Sequence, residues 1–168
     1  MSDNQNLTMN SQEAESTPAT DLTQEDAVLN LSANRNSISR YKKREQAVLL
    51  CFERLFTDSD IDEIADNIID SRDEYLSDYA IETAKNIEDK LTYIDEKISS
   101  HLSKGWKISR ISRISLAVLR VAVYEMQFVS EVPVSVAINE AVELTKKYSA
   151  DDASFVNGVL GAIAKELE

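Results

Sequence analysis

Residues 114–128 read ISLAVLRVAVYEMQF, and their polarity decides the architecture. Four of the fifteen, Ser115, Arg120, Glu125 and Gln127, are strongly polar. A helix with so little polar face belongs at the buried centre of a fold, with other helices around it. Arg120 inside it needs a carboxylate, because an unpaired buried charge is too costly; Glu125 and Glu140 are the expected partners.

Reading outward toward the C-terminus, Pro133 ends a loop and suits a helix start. Val136, Ala137, Ile138, Ala141, Leu144 and Tyr148 mark the helix that follows. A last helix is expected near Asp151 or Asp152, whose carboxylate can accept from free amides. Its apolar stripe is Phe155, Val156, Val159, Leu160 and Ile163. Gly158 there is expected to permit close helix approach, and Asn157 to be buried with its polar groups satisfied.

Toward the N-terminus, Trp106, Ile108 and Ile111 suggest a short helix, preceded by Gly105 as a helix terminator. Ser71 and Glu74 have capping-box spacing and predict one long helix striped by Ala80, Ala84, Ile87, Leu91, Ile94 and Ile98. Ile61, Ile64, Ala65, Ile68 and Ile69 form the stripe of a helix that follows Asp58 or Ser59. The first helix runs from about Ser39 to Phe56, with Val48, Cys51, Phe52 and Leu55 inward. About seven helices and no strand make an all-α fold.

The chain has 168 residues, 43% of them hydrophobic, with 3 glycines and 2 prolines, the size of one helix-rich domain with a tail. Residues 1–37 are polar and acidic and are expected to be a disordered tail, with a short transient helix near Gln24–Leu31. Residues 38–168 are the folded domain. No apolar run approaches the roughly 18 residues of a membrane span, and no secretory signal is apparent. Cys51 is the single cysteine, which excludes an intramolecular disulfide and fits a reducing cytoplasm.

Catalytic chemistry finds little support. His101 is the single histidine, so no histidine pair can hold a metal. Cys51 lies on an apolar stripe with no thiolate-stabilising neighbour. The three glycines, Gly105, Gly158 and Gly161, make no phosphate loop. The carboxylates of residues 57–99 alternate with an apolar stripe, as a solvated face does. No metal, no cofactor and no enzymatic activity are expected.

Charge is more telling in its distribution than in its sum of −12. Residues 39–56 carry a net +3 and residues 100–120 a net +5, while 57–99 carry −10. In the first island Arg40, Lys42, Lys43 and Arg44 crowd a helix start. Cations there oppose the helix dipole, which hints at an external anion; an ordinary solvated helix start is the other reading. In the second, Lys104, Lys107, Arg110 and Arg113 recur every three residues, a basic ridge if the segment is helical. That ridge serves either a polyanion or ion pairs with the acidic helix before it.

Three blocks resemble the NusB family: Arg44-Glu45 followed by Ala47-Val48 after a basic run; Leu119-Arg120-Val121-Ala122-Val123-Tyr124-Glu125 with Val132-Pro133 and Val136 to Leu144 behind it; and Phe155-Val156-Asn157-Gly158-Val159-Leu160. The resemblance covers about Ser39 to Leu167. It implies two packed three-helix subdomains plus a short extra helix. It also implies a non-catalytic transcription antitermination factor that binds single-stranded boxA of nascent ribosomal RNA together with NusE, a small-subunit ribosomal protein, and joins RNA polymerase through other Nus factors. Arg40, Lys42 and Arg44 match basic family positions and are expected to contact phosphates; Lys43 beside them and Arg113 of the second island are further expected RNA-binding residues. Tyr41 stands where some relatives have arginine, and either stacks on a base or weakens the site. Phe155 either touches RNA or staples the core. Asp152 lies where the family places acids that moderate RNA affinity, or else caps its helix. Phe52 either contacts NusE, since the family uses that helix, or belongs to the core. Some relatives form homodimers that hide the RNA face. Two other uses fit the same residues: a helical protein–protein scaffold, and an accessory domain of a ribosomal RNA-modifying enzyme, although no methyltransferase domain is present.

Overall fold

The computed structural model describes residues 38–72 and 74–168, so the expected tail and its short helix lie outside the described residues. The described residues form seven α-helices and no strand. They are α1 (Arg40–Arg54), α2 (Ile61–Arg72), α3 (Asp78–Asp89), α4 (Leu91–Ser100), α5 (Arg113–Phe128), α6 (Val134–Tyr148) and α7 (Ala153–Ala164). Single 3₁₀ turns, Ile108–Arg110 and Ala150–Asp152, precede α5 and α7. α1, α2 and α3 pack together, as do α5, α6 and α7, while α4 lies on α5. The two groups meet where α1 crosses α5.

The apolar segment is the centre, as its composition requires. Residues 115–126 of α5 are all buried. Arg120 pairs with Asp95 of α4 rather than with Glu125 or Glu140: Nε donates to Oδ1 at 2.9 Å and an Nη to Oδ2 at 2.8 Å. This two-pronged bond pins α4 onto α5.

The predicted long helix is two helices. Ser71 and Glu74 do not open it; Ser77 does, its hydroxyl accepting from the Ala80 amide at 3.2 Å. The amide of Ser77 donates to Gln46 of α1, whose own amide nitrogen donates to the Tyr75 carbonyl. A buried side chain of α1 thus decides where α3 begins, which local spacing could not show. The helix then breaks at Lys90 (φ −111°, ψ 13°) without glycine or proline. Before the break α3 lies chiefly on α1, and after it α4 lies on α5, so the bend lets one apolar stripe serve two neighbours.

Asp60, not Asp58 or Ser59, caps α2, accepting from the Glu63 amide at 2.9 Å. Gly105 does not end α4, which stops at Ser100. It occupies a later turn closed by Trp106 N–H to Ser103 O at 2.9 Å, where its φ of +83° suits glycine. The short helix expected at Trp106–Ile111 is one 3₁₀ turn, so the second basic island is a loop rather than a helical ridge. Asn157 and Gly158 are both exposed, and a Cβ added to Gly158 would meet nothing within 4 Å, so neither has the packing role expected of it.

Candidate nucleic-acid interface

Ser39 caps α1 by accepting from the Lys42 amide, which places the first basic island in the opening turns of that helix. Arg40 is exposed and makes no ion pair with any described residue. It stands between two adjoining hollows of about 270 and 410 Å³, both walled by Arg44, Glu131 and Val132. Lys43 lines the first and Tyr41, half-buried, the second. Lys42 reaches Glu45 at 3.3 Å and Glu74 at 3.2 Å. Burial works against its charge, but hydrogen bonds to the two carboxylates prevail and raise its pKa.

Arg44 departs from the expectation. It is 5% exposed, and its Nε lies 2.8 Å from Glu125 and an Nη 3.2 Å from Glu140. Glu125 is fully buried and also accepts from the Tyr79 hydroxyl. Burial disfavours the guanidinium charge, but the Glu125 carboxylate outweighs that and raises its pKa. Arg44 is therefore the cation that makes a buried carboxylate tolerable, and its donors face inward rather than toward a phosphate. Its neighbour Glu45 is buried too, accepting from Lys147 at 2.5 Å and Tyr148 at 2.6 Å. Burial would raise its pKa, yet hydrogen bonds from Lys147, Tyr148 and Lys42 bring it below the ordinary value.

The structure does not bring Arg113 to this cluster. Its guanidinium stacks over Phe56, just past the far end of α1, at 4.4 Å. A helix of 15 residues is about 22 Å long, so Arg40 and Arg113 lie toward opposite ends of α1. Asp152 accepts from Ser112 and Ser115 at 2.7 Å and from Ser149 at 2.9 Å, tying the start of α5 to the turn before α7. The serine hydroxyls hold its carboxyl below the ordinary range despite some burial. Asp152 thus makes no side-chain cap of α7. Phe52 is half-buried, edge-on to exposed Phe56 at 4.9 Å. Phe155 is partly buried against the core and lies 6.1 Å from Trp106.

A family model described as "NusB family" matches residues 23–165. The chain belongs to the NusB family. A transcription antitermination protein NusB of Clostridium novyi is 41% identical over 133 residues, covering 76% of this chain and 99% of that protein. Among solved structures, T. maritima NusB superposes with a TM-score of 0.65 at 33% identity, covering 77% of this chain and 92% of the other. A NusB in a complex described as antitermination factors NusB and NusE with dsRNA has a TM-score of 0.65 at 28% identity, covering 77% and 99%.

Within this NusB-family chain, sequence reasoning overlooked Trp106. Its spacing with Ile108 and Ile111 suggested only a short helix, and it is 46% exposed. The signal was there: the single tryptophan stands between Lys104 and Lys107, beside a glycine. Lys104, Lys107 and Arg110 are exposed and form no ion pair with a described residue, so the rival use of this island, pairing with the acidic helix, is not what these three residues do. No helix among the described residues is long and apolar enough to cross a membrane, and no cluster of potential metal ligands occurs among them.

Proposed function

We propose that this protein is a non-catalytic antitermination factor that binds single-stranded boxA of nascent ribosomal RNA as a heterodimer with NusE, and that the pair joins RNA polymerase through other Nus factors in the cytoplasm. The observation that carries it is the location of free positive charge. Many cations of this acidic chain are engaged by carboxylates, whereas Arg40 at the start of α1 and Lys104, Lys107 and Arg110 in the loop before α5 are exposed without such partners among the described residues. Phosphates are the ligands that such residues neutralise with a release of counterions. The relative solved with NusE and dsRNA adds support by its fold and by its near-complete coverage. In this reading Arg40, Tyr41, Lys42 and Lys43 meet the backbone at one end of α1, Arg113 and Phe155 serve the other end, and Phe52 with Phe56 offers NusE an apolar contact.

Fluorescence anisotropy with boxA RNA and a scrambled RNA, with and without NusE, tests it. Preference for boxA that strengthens with NusE is expected, with log affinity falling by about 0.7 per phosphate contact for each unit of log salt. Equal binding of the two RNAs favours a protein scaffold instead. Sedimentation of the free chain detects a homodimer covering this face.

A further inference from the structure

Trp106 is an expensive residue to leave in water. An indole side chain offers on the order of 200 Å² of surface, and here nearly half its area is open. Its ring is not loosely placed. Residues 103–111 are braced by three backbone bonds: Trp106 N–H to Ser103 O at 2.9 Å, Arg110 N–H to Lys107 O at 2.9 Å and Ile111 N–H to Ile108 O at 3.1 Å. Gly105 supplies the left-handed backbone that the first of these turns needs. Phe155 of α7 supports the indole, with ring centroids 6.1 Å apart and planes tilted by 49°. Phe155 in turn packs on the core. The platform is therefore held by two elements, the loop and α7.

The surroundings distinguish this platform from an ordinary apolar patch. Lys104, Lys107 and Arg110 flank the indole in sequence, are exposed, and are not tied to any described carboxylate. Asp152, the closer of the two acids before Phe155 in sequence, has its carboxylate occupied by three serine hydroxyls; Asp151 is exposed. An exposed aromatic ring in a loop that also carries three exposed cations without described carboxylate partners suits an unstacked base with its flanking phosphates. A protein partner with an apolar contact surface would not need the three cations.

We infer that Trp106, propped by Phe155 and flanked by Lys104, Lys107 and Arg110, is a stacking subsite for one unpaired base of a bound RNA strand. This rests on the RNA-binding reading above and adds to it a specific ligand group, the face of a base. The subsite requires a single strand, because a paired base has no free face to offer.

The test uses the full chain carrying 5-fluorotryptophan, whose one fluorine resonance reports Trp106 whatever is added. The probes are a single-stranded boxA oligonucleotide on the order of a dozen nucleotides, within the site sizes such proteins cover, the same oligonucleotide annealed to its complement, and NusE alone. Anisotropy of the labelled RNA records binding separately. Expected are a fluorine shift that saturates with the single strand and is absent with the duplex, and a loss of roughly 5- to 100-fold in single-strand affinity for Trp106→Ala. Trp106→Phe should recover most of that loss. Lys104→Ala, Lys107→Ala and Arg110→Ala together should flatten the salt dependence by up to about 2 in slope. If RNA binds while the fluorine signal stays still and Trp106→Ala is within twofold of the parent, the subsite is wrong and the RNA-binding reading survives. A signal that moves with NusE and not with RNA also overturns it, assigning Trp106 to the protein partner. No single-strand binding in any arm overturns the RNA-binding reading, and the subsite with it.

Discussion

Replacing Arg44 with alanine separates the two roles that this residue has been given. In the structure its guanidinium bonds to Glu125 through Nε, at 3.0 Å to one oxygen and 2.8 Å to the other, and to Glu140 at 3.2 Å. Glu125 has no exposed surface, and Tyr79 is its other hydrogen-bond partner. Removing the guanidinium strands a buried carboxylate, which must stay charged without a cation or take up a proton. Breaking a buried pair from one side costs about 3–5 kcal/mol. That lowers the folding equilibrium constant by a factor of roughly 150 to 5,000, since about 1.4 kcal/mol is tenfold. For a folded part of this size, each kcal/mol moves the midpoint by roughly 3–5 °C, so the melting temperature should fall by about 9–25 °C.

Thermal and urea unfolding followed by circular dichroism give the stability change. Anisotropy at a temperature where the variant is folded gives the affinity. Arg40→Ala is the opposite case: an exposed cation whose loss should weaken RNA binding and reduce the salt slope by about 0.7, with the melting temperature nearly unchanged. Replacing Arg44 and Glu125 together with methionine and leucine should cost less than Arg44→Ala alone, because no charge is then left buried. Arg44→Ala with its midpoint within 1 °C of the parent and its RNA affinity reduced would refute the buried-pair account and return Arg44 to the RNA surface.

Three further outcomes follow from the same geometry. Glu45 has a folded-state pKa below its ordinary 4.5, so its contribution to stability is present above that value and lost as pH falls through the lowered one; urea midpoints of Glu45→Gln should depend less on pH below about 5 than those of the parent. Burial pushes the Cys51 thiol from 9.0 up to about 12, so at pH 8 a thiol reagent should modify the native chain roughly 1,000-fold more slowly than the urea-unfolded one, and comparable rates would contradict its burial. Gly158→Ala, inside α7 with open space at the Cβ, should stabilise the fold by about 0.5–1 kcal/mol, measured by urea unfolding; a loss of stability would contradict the open space at this position.

The architecture was largely legible in the sequence because helical periodicity is a local property. The apolar run 114–128 indicated the centre, and the stripes of α1, α2 and α7 fell on buried or half-buried positions; in α6 Ala137, Ala141 and Leu144 are buried, but Val136 and Tyr148, expected on the same stripe, are exposed. What was not legible depended on partners distant in the chain. Arg120 finds Asp95 across a helix pair, Ser77 is chosen as a cap because Gln46 reaches it, and the bend at Lys90 answers to two different neighbours. The same limit applied to the site. Arg40 and Arg44 look alike in sequence, four residues apart on one helix. Only the tertiary arrangement shows that one faces solvent and the other two carboxylates. Trp106 was misread because a loop with aliphatic neighbours imitates the spacing of a short helix.

The stretches that mark the family are mostly not the stretches that can touch a ligand. Arg44 and Glu45 close buried networks onto α5 and α6, and Leu119 to Glu125 forms the buried centre. In the last motif Val156, Val159 and Leu160 are buried. These residues hold α1 against α5 and α6, and so determine where Arg40 projects and how far it lies from the loop at residues 104–110. Function therefore depends on them at one remove. A substitution in Arg44 or Glu125 should damage RNA binding only through the population and geometry of the folded state, and its affinity loss should shrink as the assay temperature is lowered. A substitution in Arg40 or Lys107 removes a contact from an intact surface, and its loss should instead shrink as salt is raised and phosphate contacts weaken for parent and variant alike. Temperature and salt thus sort the residues of this surface into scaffold and contact without a structure of the complex.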